Sequence, residues 1–212
     1  MHCQPRLKQL VYNWLNNNQT CLLCDEAAQQ PRPICGPCET ELPWLDECCQ
    51  RCALPLPMRG LTCGQCSRRP PAFTRVEAPW HYGFPVDALI TRFKHQRQWP
   101  LGRLLAQLLG CWLEHRFADG LPRPALLLPV PLARRRLRER GFNQAGMLAE
   151  WLGTHLGIAC AAQVLQRPRD TLAQQGLTAK ARRANLLRAF TLADPAAIQG
   201  LHVAIVDDVL TT

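Results

Sequence analysis

No Gly-x4-Gly-Lys-Ser/Thr segment occurs in the 212 residues, and no Gly-x-Gly-x-x-Gly either. The first absence excludes an ordinary phosphate-loop ATPase, and the second removes the usual dinucleotide fingerprint. The six histidines (His2, His81, His95, His115, His155 and His202) show no metal-ligand spacing. No Ser/His/Asp or Cys/His arrangement stands out, so no nucleophile or general base is nominated. Long apolar runs are also missing: Leu126 to Leu132 is broken by Pro129 and Pro131, which excludes a membrane span there. Near the N-terminus Arg6 and Lys8 are followed by Trp14 and Asn16-Asn17-Asn18, with no apolar stretch of signal-peptide length. The expectation is a cytoplasmic protein without a membrane span. With hydrophobic residues at 47%, the chain belongs among globular sequences.

Acidic charge is scarce in only part of the chain. Residues 1–66 hold 5 Lys+Arg against 6 Asp+Glu, a net of −1, whereas residues 67–212 hold 20 against 10, a net of +10. The second part therefore calls for an anionic partner, nucleic acid or polyphosphate, or else presents a solvated basic surface.

Cysteine, by contrast, is abundant and periodic. Cys21-x2-Cys24 and Cys35-x2-Cys38 recur 28 residues on as Cys49-x2-Cys52 and Cys63-x2-Cys66. Two thiolates two residues apart can grip one tetrahedral ion, and two such pairs complete its coordination. Each unit is too short for a hydrophobic core of its own, so a structural zinc would supply most of its folding energy, on the order of 10–16 kcal/mol. A disulfide framework needs an oxidising compartment. A redox Cys-x-x-Cys normally occurs once, near a βαβ pattern. Two structural zinc ions are expected. The spacing alone leaves sequential and crossed pairing open, and the expectation is sequential. Cys48 lacks the two-residue spacer that Cys49 keeps, and Cys3, Cys111 and Cys160 fall outside the pattern as small buried hydrophobes. Four thiolates leave no open coordination position, which argues against catalysis by the metal.

Pro5 to Asn17 has amphipathic helical spacing. Arg68-Arg69-Pro70-Pro71 looks like a linker, placing a boundary between a module over 1–70 and a domain over 71–212. Phe73 to Phe84 suggests one or two strands. Val86 to Phe93, followed by Lys94, has helical spacing, and Leu101 to Trp112 forms a stronger helix after Pro100. Ala125 to Pro131 is a buried strand. A basic loop follows, with Arg134, Arg135, Arg136, Arg138 and Arg140 opposed only by Glu139, and a helix starts around Gly141-Phe142-Asn143-Gln144. Guanidinium groups and helix amides at one sheet edge suit a pyrophosphate or a nucleic-acid backbone. The plain alternative is a solvated basic helix end. A polar loop from Arg167 precedes a basic helix capped by Thr178 and holding Arg183. Strands thus alternate with helices, which predicts an α/β domain with a parallel sheet.

The last ten residues, Val203-Ala204-Ile205-Val206-Asp207-Asp208-Val209-Leu210-Thr211-Thr212, read as a buried strand, an acidic pair and a hydroxyl-bearing loop. Unpaired carboxylates cannot stay inside, so they belong at the carboxyl edge of the sheet, where open α/β folds bind ligands. Carboxylates for sugar hydroxyls or magnesium, beside donors for a phosphate, suit a phosphorylated sugar. A solvated acidic turn is the alternative.

This segment resembles the phosphoribosyl-pyrophosphate (PRPP) motif of type I phosphoribosyltransferases, in which a strand is followed by Asp-Asp and Thr-Thr-Gly. The chain stops at Thr212, so the motif's glycine and following helix are not in it, and lower stability than a full-length relative is expected. From Cys21 to Thr212 the chain resembles the ComF family. The matching segments are the Cys-x2-Cys knuckles, Phe93-Lys94, Pro129-Val130-Pro131, Arg138-x-Arg140-Gly141-Phe142-Asn143-Gln144, Asp170-Thr171-x-x-Gln174-x-x-Leu177, Arg183-x-Asn185 and the terminal Asp207-Asp208-x-x-Thr211-Thr212. The resemblance implies a double zinc-binding module, four cysteines to each ion, fused to a phosphoribosyltransferase-like domain. It further implies a role in natural transformation or in using imported DNA as a nutrient. Partners would be single-stranded DNA and the helicase and recombination proteins of DNA uptake. Asp207 and Asp208 would hold the ribose of PRPP with Mg2+, Thr211 and Thr212 would begin its phosphate loop, and Arg138 and Arg140 would flank the pyrophosphate. Arg134, Arg135, Arg136, Lys94 and Arg183 are the candidates for nucleic-acid phosphates. Transfer of the phosphoribosyl group to a small acceptor is the alternative activity. The same fold also hosts regulators that bind without turnover.

Overall fold

The computed structural model describes residues 20–28, 31–168 and 189–210. The predicted helix over Pro5–Asn17, the helix after Thr178 with Arg183, and Thr211 and Thr212 lie outside the described residues. The chain divides into two compact units, one ending at Leu89 and the other running from Ile90 to Thr211.

In the first unit the cysteine repeat is a repeat of backbone structure. Antiparallel bridges join Thr20 to Ala27 and, 28 residues on, Cys48 to Pro55. Cys21 N–H donates to Glu26 O at 2.7 Å, and Cys49 N–H to Leu54 O at 2.8 Å. Each knuckle turns through a left-handed residue, Asp25 (φ 62°) in the first and Ala53 (φ 57°) in the second. Each second Cys-x2-Cys then opens a short helix, α1 (Gly36–Thr40) and α2 (Gly64–Arg68), with Cys35 and Cys63 as N-caps. The buried centre of the second repeat is Cys49, Cys63 and Cys66, flanked by Cys52, Leu54 and Leu56. The sulfurs thus occupy the place of a core, and little apolar area remains to stabilise the fold without a metal.

The stretch Phe73–Phe84, expected as strands, is irregular apart from one bridge between Trp44 and Trp80, whose rings lie 5.7 Å apart. Pro70, Pro71, Pro79 and Pro85 remove ladder donors in and around it, which accounts for the difference.

The second unit is built on a three-stranded parallel sheet. The helix α3 (Val86–Gln96) leads into it, followed by α4 (Trp99–Ala118), β1 (Leu126–Pro129), α5 (Arg134–Arg140), α6 (Gln144–Leu156), β2 (Ala159–Cys160), β3 (Leu165–Gln166), β4 (Thr191–Leu192), a 3-10 turn over Ala196–Ile198, and β5 (Val203–Val206). Strand order is β2-β1-β5, with Leu126 opposite both Ala159 and Val203, and Pro129 opposite Val206. A separate antiparallel pair joins β3 and β4. The expected α/β architecture with a parallel sheet, preceded by two four-cysteine sites, is therefore present. Leu127 from the sheet and Leu148, Ala149, Leu152 and Leu156 from α6 bury together with Phe93, Ala106 and Val206. Each buried leucine contributes roughly 1.5–3 kcal/mol. Two glycines permit the close packing. A Cβ on Gly102 would lie 2.6 Å from the Phe93 ring, and one on Gly153 would lie 2.7 Å from the Ile158 carbonyl oxygen.

Candidate functional site

The eight repeated cysteines form two clusters, Cys21/Cys24/Cys35/Cys38 and Cys49/Cys52/Cys63/Cys66, with all sulfurs of a cluster within 4.8 Å of one another. Pairing is sequential, as expected. Cys24 and Cys35 sulfurs lie 3.6 Å apart, and those of Cys52 and Cys63 3.7 Å. A tetrahedral zinc with bonds of about 2.3 Å separates its sulfurs by about 3.8 Å, so the donor set fits the ion. Burial would raise the Cys21 and Cys49 thiols, but backbone amides outweigh it and hold each at about 6; one of them is Cys63 N–H, 3.2 Å from Cys49 Sγ. Burial and neighbouring thiols push Cys38 up, and Cys66 to about 12. Each cluster thus favours one thiolate while Cys38 and Cys66 resist ionising, and a divalent cation is what offsets that resistance.

In the second unit, parallel pairing brings the carboxyl ends of β1 and β5 to one edge. Val130 N–H donates to Val206 O at 2.9 Å, so Asp207 and Asp208 emerge beside the turn after β1. Asn143, at the start of α6, donates its side-chain amide to Val130 O at 3.1 Å and fastens that turn to the helix. Lys94 Nζ, from the last turn of α3, lies 2.7 Å from Asp208 Oδ2, with the two side chains 24% and 10% exposed. The Asp208 amide donates to Asp207 Oδ1 at 2.9 Å. Burial and then the charge of Asp208 lift the Asp207 carboxyl from 3.8 to about 6. The residue as a whole is exposed, so the neighbouring charge is the firmer of the two causes.

The arginine segment expected as a loop is the helix α5. Arginine and leucine are good helix formers, Arg135 pairs with Glu139 at 2.8 Å in an i,i+4 arrangement, and Gly141 (φ 84°) ends the helix in the left-handed conformation. The helical period separates the arginines. Arg136 and Arg140 are half-buried, while Arg134, Arg135 and Arg138 are exposed. Arg140 lies close enough to Asp208 and Arg136 to feel both charges, and burial is the largest influence on it. Of the residues expected at the site, Asp207, Asp208, Lys94 and Arg140 come together, whereas Arg138 stays on the solvent side.

His95 was not nominated from the sequence. Burial first, then the cations Arg140 and Lys94, lower its pKa, with Asp208 opposing. These influences favour its neutral form. The signal available was only its place beside Lys94. Trp99 is 51% exposed and meets the Phe142 ring edge-on at 6.4 Å, leaving a face for stacking.

A family model for the double zinc ribbon domain matches residues 13–67. The Competence protein F of Haemophilus influenzae is 36% identical over 214 residues, spanning 100% of this chain and 84% of that protein. The chain belongs to the ComF family. The DNA utilization protein YhgH of Salmonella typhi is 38% identical over 180 residues, 84% of this chain and 78% of the relative. Its Escherichia coli K12 counterpart is 36% identical over the same shares. No solved structure matches the chain. Both four-cysteine clusters of this ComF-family chain lie within the residues that the double zinc ribbon model matches, and their donor sets fit one structural zinc each. Among the described residues no helix is long and apolar enough to cross a membrane.

Proposed function

We propose that this protein serves competence and the use of imported DNA, as the names of its relatives suggest for them, by binding single-stranded DNA and a phosphorylated sugar of the PRPP type. The observation that carries the reading is the carboxyl edge of the β1–β5 pair. Two adjacent carboxylates, a lysine bonded to one of them and a half-buried arginine converge there. Asp208 is ion-paired with Lys94, and Asp207 beside it, its carboxyl held up at about 6, carries at neutral pH a second negative charge that its neighbour opposes. A magnesium ion or the hydroxyls of a ribose would satisfy it, with Lys94 and Arg140 turning to the phosphates. Arg138, on the solvent side of α5, would flank the pyrophosphate with Arg140. Arg134, Arg135 and Arg136 on α5, together with Arg183, supply phosphate contacts for a strand of DNA, and the open face of Trp99 supplies stacking. Thr211 and Thr212 would begin the loop around the 5′-phosphate. In this division of labour the zinc module, residues 1–70, docks helicase and recombination proteins of the cytoplasm. The phosphoribosyltransferase-like domain, residues 71–212, does the binding.

The test is fluorescence anisotropy of a labelled oligonucleotide across a salt series. Log affinity should fall with log salt at about 0.7 per phosphate neutralised, and replacing Arg134, Arg135 and Arg138 with alanine should flatten that slope. A nearly flat response in the parent protein rejects DNA binding. Calorimetric titration with magnesium-PRPP addresses the other half: Asp207→Asn should lose binding with the fold intact. Equal binding by parent and variant would remove the acidic pair from the site.

A further inference from the structure

Cys111, expected as a small buried hydrophobe, is only partly buried, and the fold brings to it His155, which no spacing in the sequence marks as a ligand. Cys111 and Glu114 stand three residues apart on α4, which puts them on one face of the helix. His155, from the last turn of α6, comes to the same face. Its ring lies flush on the helix backbone, because Gly110 has no side chain: a Cβ there would lie 2.5 Å from His155 Cδ2. His155 Nε2 is then 3.4 Å from Glu114 Oε2 and 3.9 Å from Cys111 Sγ, and the three donor atoms lie within 4.8 Å of one another. Both other donors converge on one nitrogen. Around a tetrahedral zinc, nitrogen and carboxylate oxygen sit about 3.4 Å apart and nitrogen and thiolate about 3.6 Å, so small movements of exposed side chains close the shell. His115 is not a member, since its Nδ1 is 2.7 Å from the Cys111 carbonyl oxygen.

We propose that Cys111, Glu114 and His155 form a third metal site for a zinc-class divalent cation, separate from both ribbons. Thiolate and imidazole select a borderline-soft ion and disfavour magnesium. Three protein ligands leave one position for water, unlike the closed four-cysteine clusters. The His155 and Glu114 side chains are 28% and 53% exposed, so the ion exchanges with solvent and binds more weakly than the ribbon zincs. His155 is 11 residues along α6 from Gln144, about 16 Å at the helical rise, which keeps this site away from the acidic pair.

Protein with zinc in both ribbons is titrated with Zn2+ against a chromophoric chelator. A third equivalent is expected. Cys111→Ser and His155→Ala should lose it while keeping two, and Glu114→Gln should weaken it by about tenfold or more, the least expected for disturbing a ligand shell. Alkylation of Cys111 by iodoacetamide, read by peptide mass spectrometry, should slow when the third equivalent is bound. A parent protein that saturates at two equivalents, variants that keep the third, or unchanged Cys111 alkylation on adding Zn2+ would each overturn the assignment.

Discussion

Replacing Asp207 with asparagine should make the protein more stable at neutral pH, although it removes a charge at the carboxyl edge of the sheet. The Asp207 carboxyl is lifted from 3.8 to about 6 by burial and by Asp208. A raised carboxyl pKa means that the folded state holds the proton more tightly than the unfolded state. Ionisation therefore opposes folding, and stability falls as pH rises from about 4 to about 6. A lift of that size would correspond to about 3 kcal/mol for a fully shielded group. Asp207 is exposed, and solvent screening reduces the expected penalty to about 1 kcal/mol. Asparagine keeps the oxygen that accepts the Asp208 amide at 2.9 Å, so the local turn survives. The assay is urea unfolding of both proteins from about pH 4 to about pH 8. The ribbons also respond to acid, but identically in both, so the difference between variant and parent isolates Asp207. That difference should be near zero at about pH 4 and rise to about 1 kcal/mol in favour of the variant above about pH 6. A difference independent of pH, or one that favours the parent at neutral pH, would refute the reasoning.

Lys94→Met should destabilise by about 1–2 kcal/mol, less than for a fully buried pair because Lys94 is partly exposed, and Asp208→Asn in the same chain should recover part of the loss; additive effects in urea titrations would mean the pair is not coupled. Gly153→Ala gains about 1 kcal/mol of helix propensity but drives a methyl into the Ile158 carbonyl, so thermal unfolding should show a net loss of about 1–2 kcal/mol. Cys49→Ser should lower zinc content from two ribbon ions per chain to one by atomic emission. A fall to none would show that the ribbons do not fill independently.

The metal clusters were legible because their ligand pattern is local and periodic: Cys21 and Cys49 announce the same knuckle at a fixed offset. The strands β1 and β5 were legible as apolar runs, and α3, α4 and α6 by helical spacing. Strand β2, only Ala159 and Cys160, was not, since two residues show no alternation. Five arginines in a row of seven suggested a repelling loop, but a helix spreads them around its axis and lets Glu139 offset one. The ends of the Lys94–Asp208 contact were both nominated, yet their meeting depends on topology, because the residues are 114 apart in sequence. The same holds for Cys111 and His155, 44 apart.

The sheet register has a consequence in time. Leu126 pairs with Val203, 77 residues later, whereas each zinc knuckle closes within a few residues. Closing a long loop carries an entropic penalty that short ones avoid, so long-range strand pairing is slow. The ribbons can form as soon as they leave the ribosome, while β1 waits with one side open for β5. The acidic pair travels on that late strand. Until it docks, Lys94 has no Asp208 to hold, and the charged cluster at the carboxyl edge does not exist; it is assembled last, by the step that also closes the sheet.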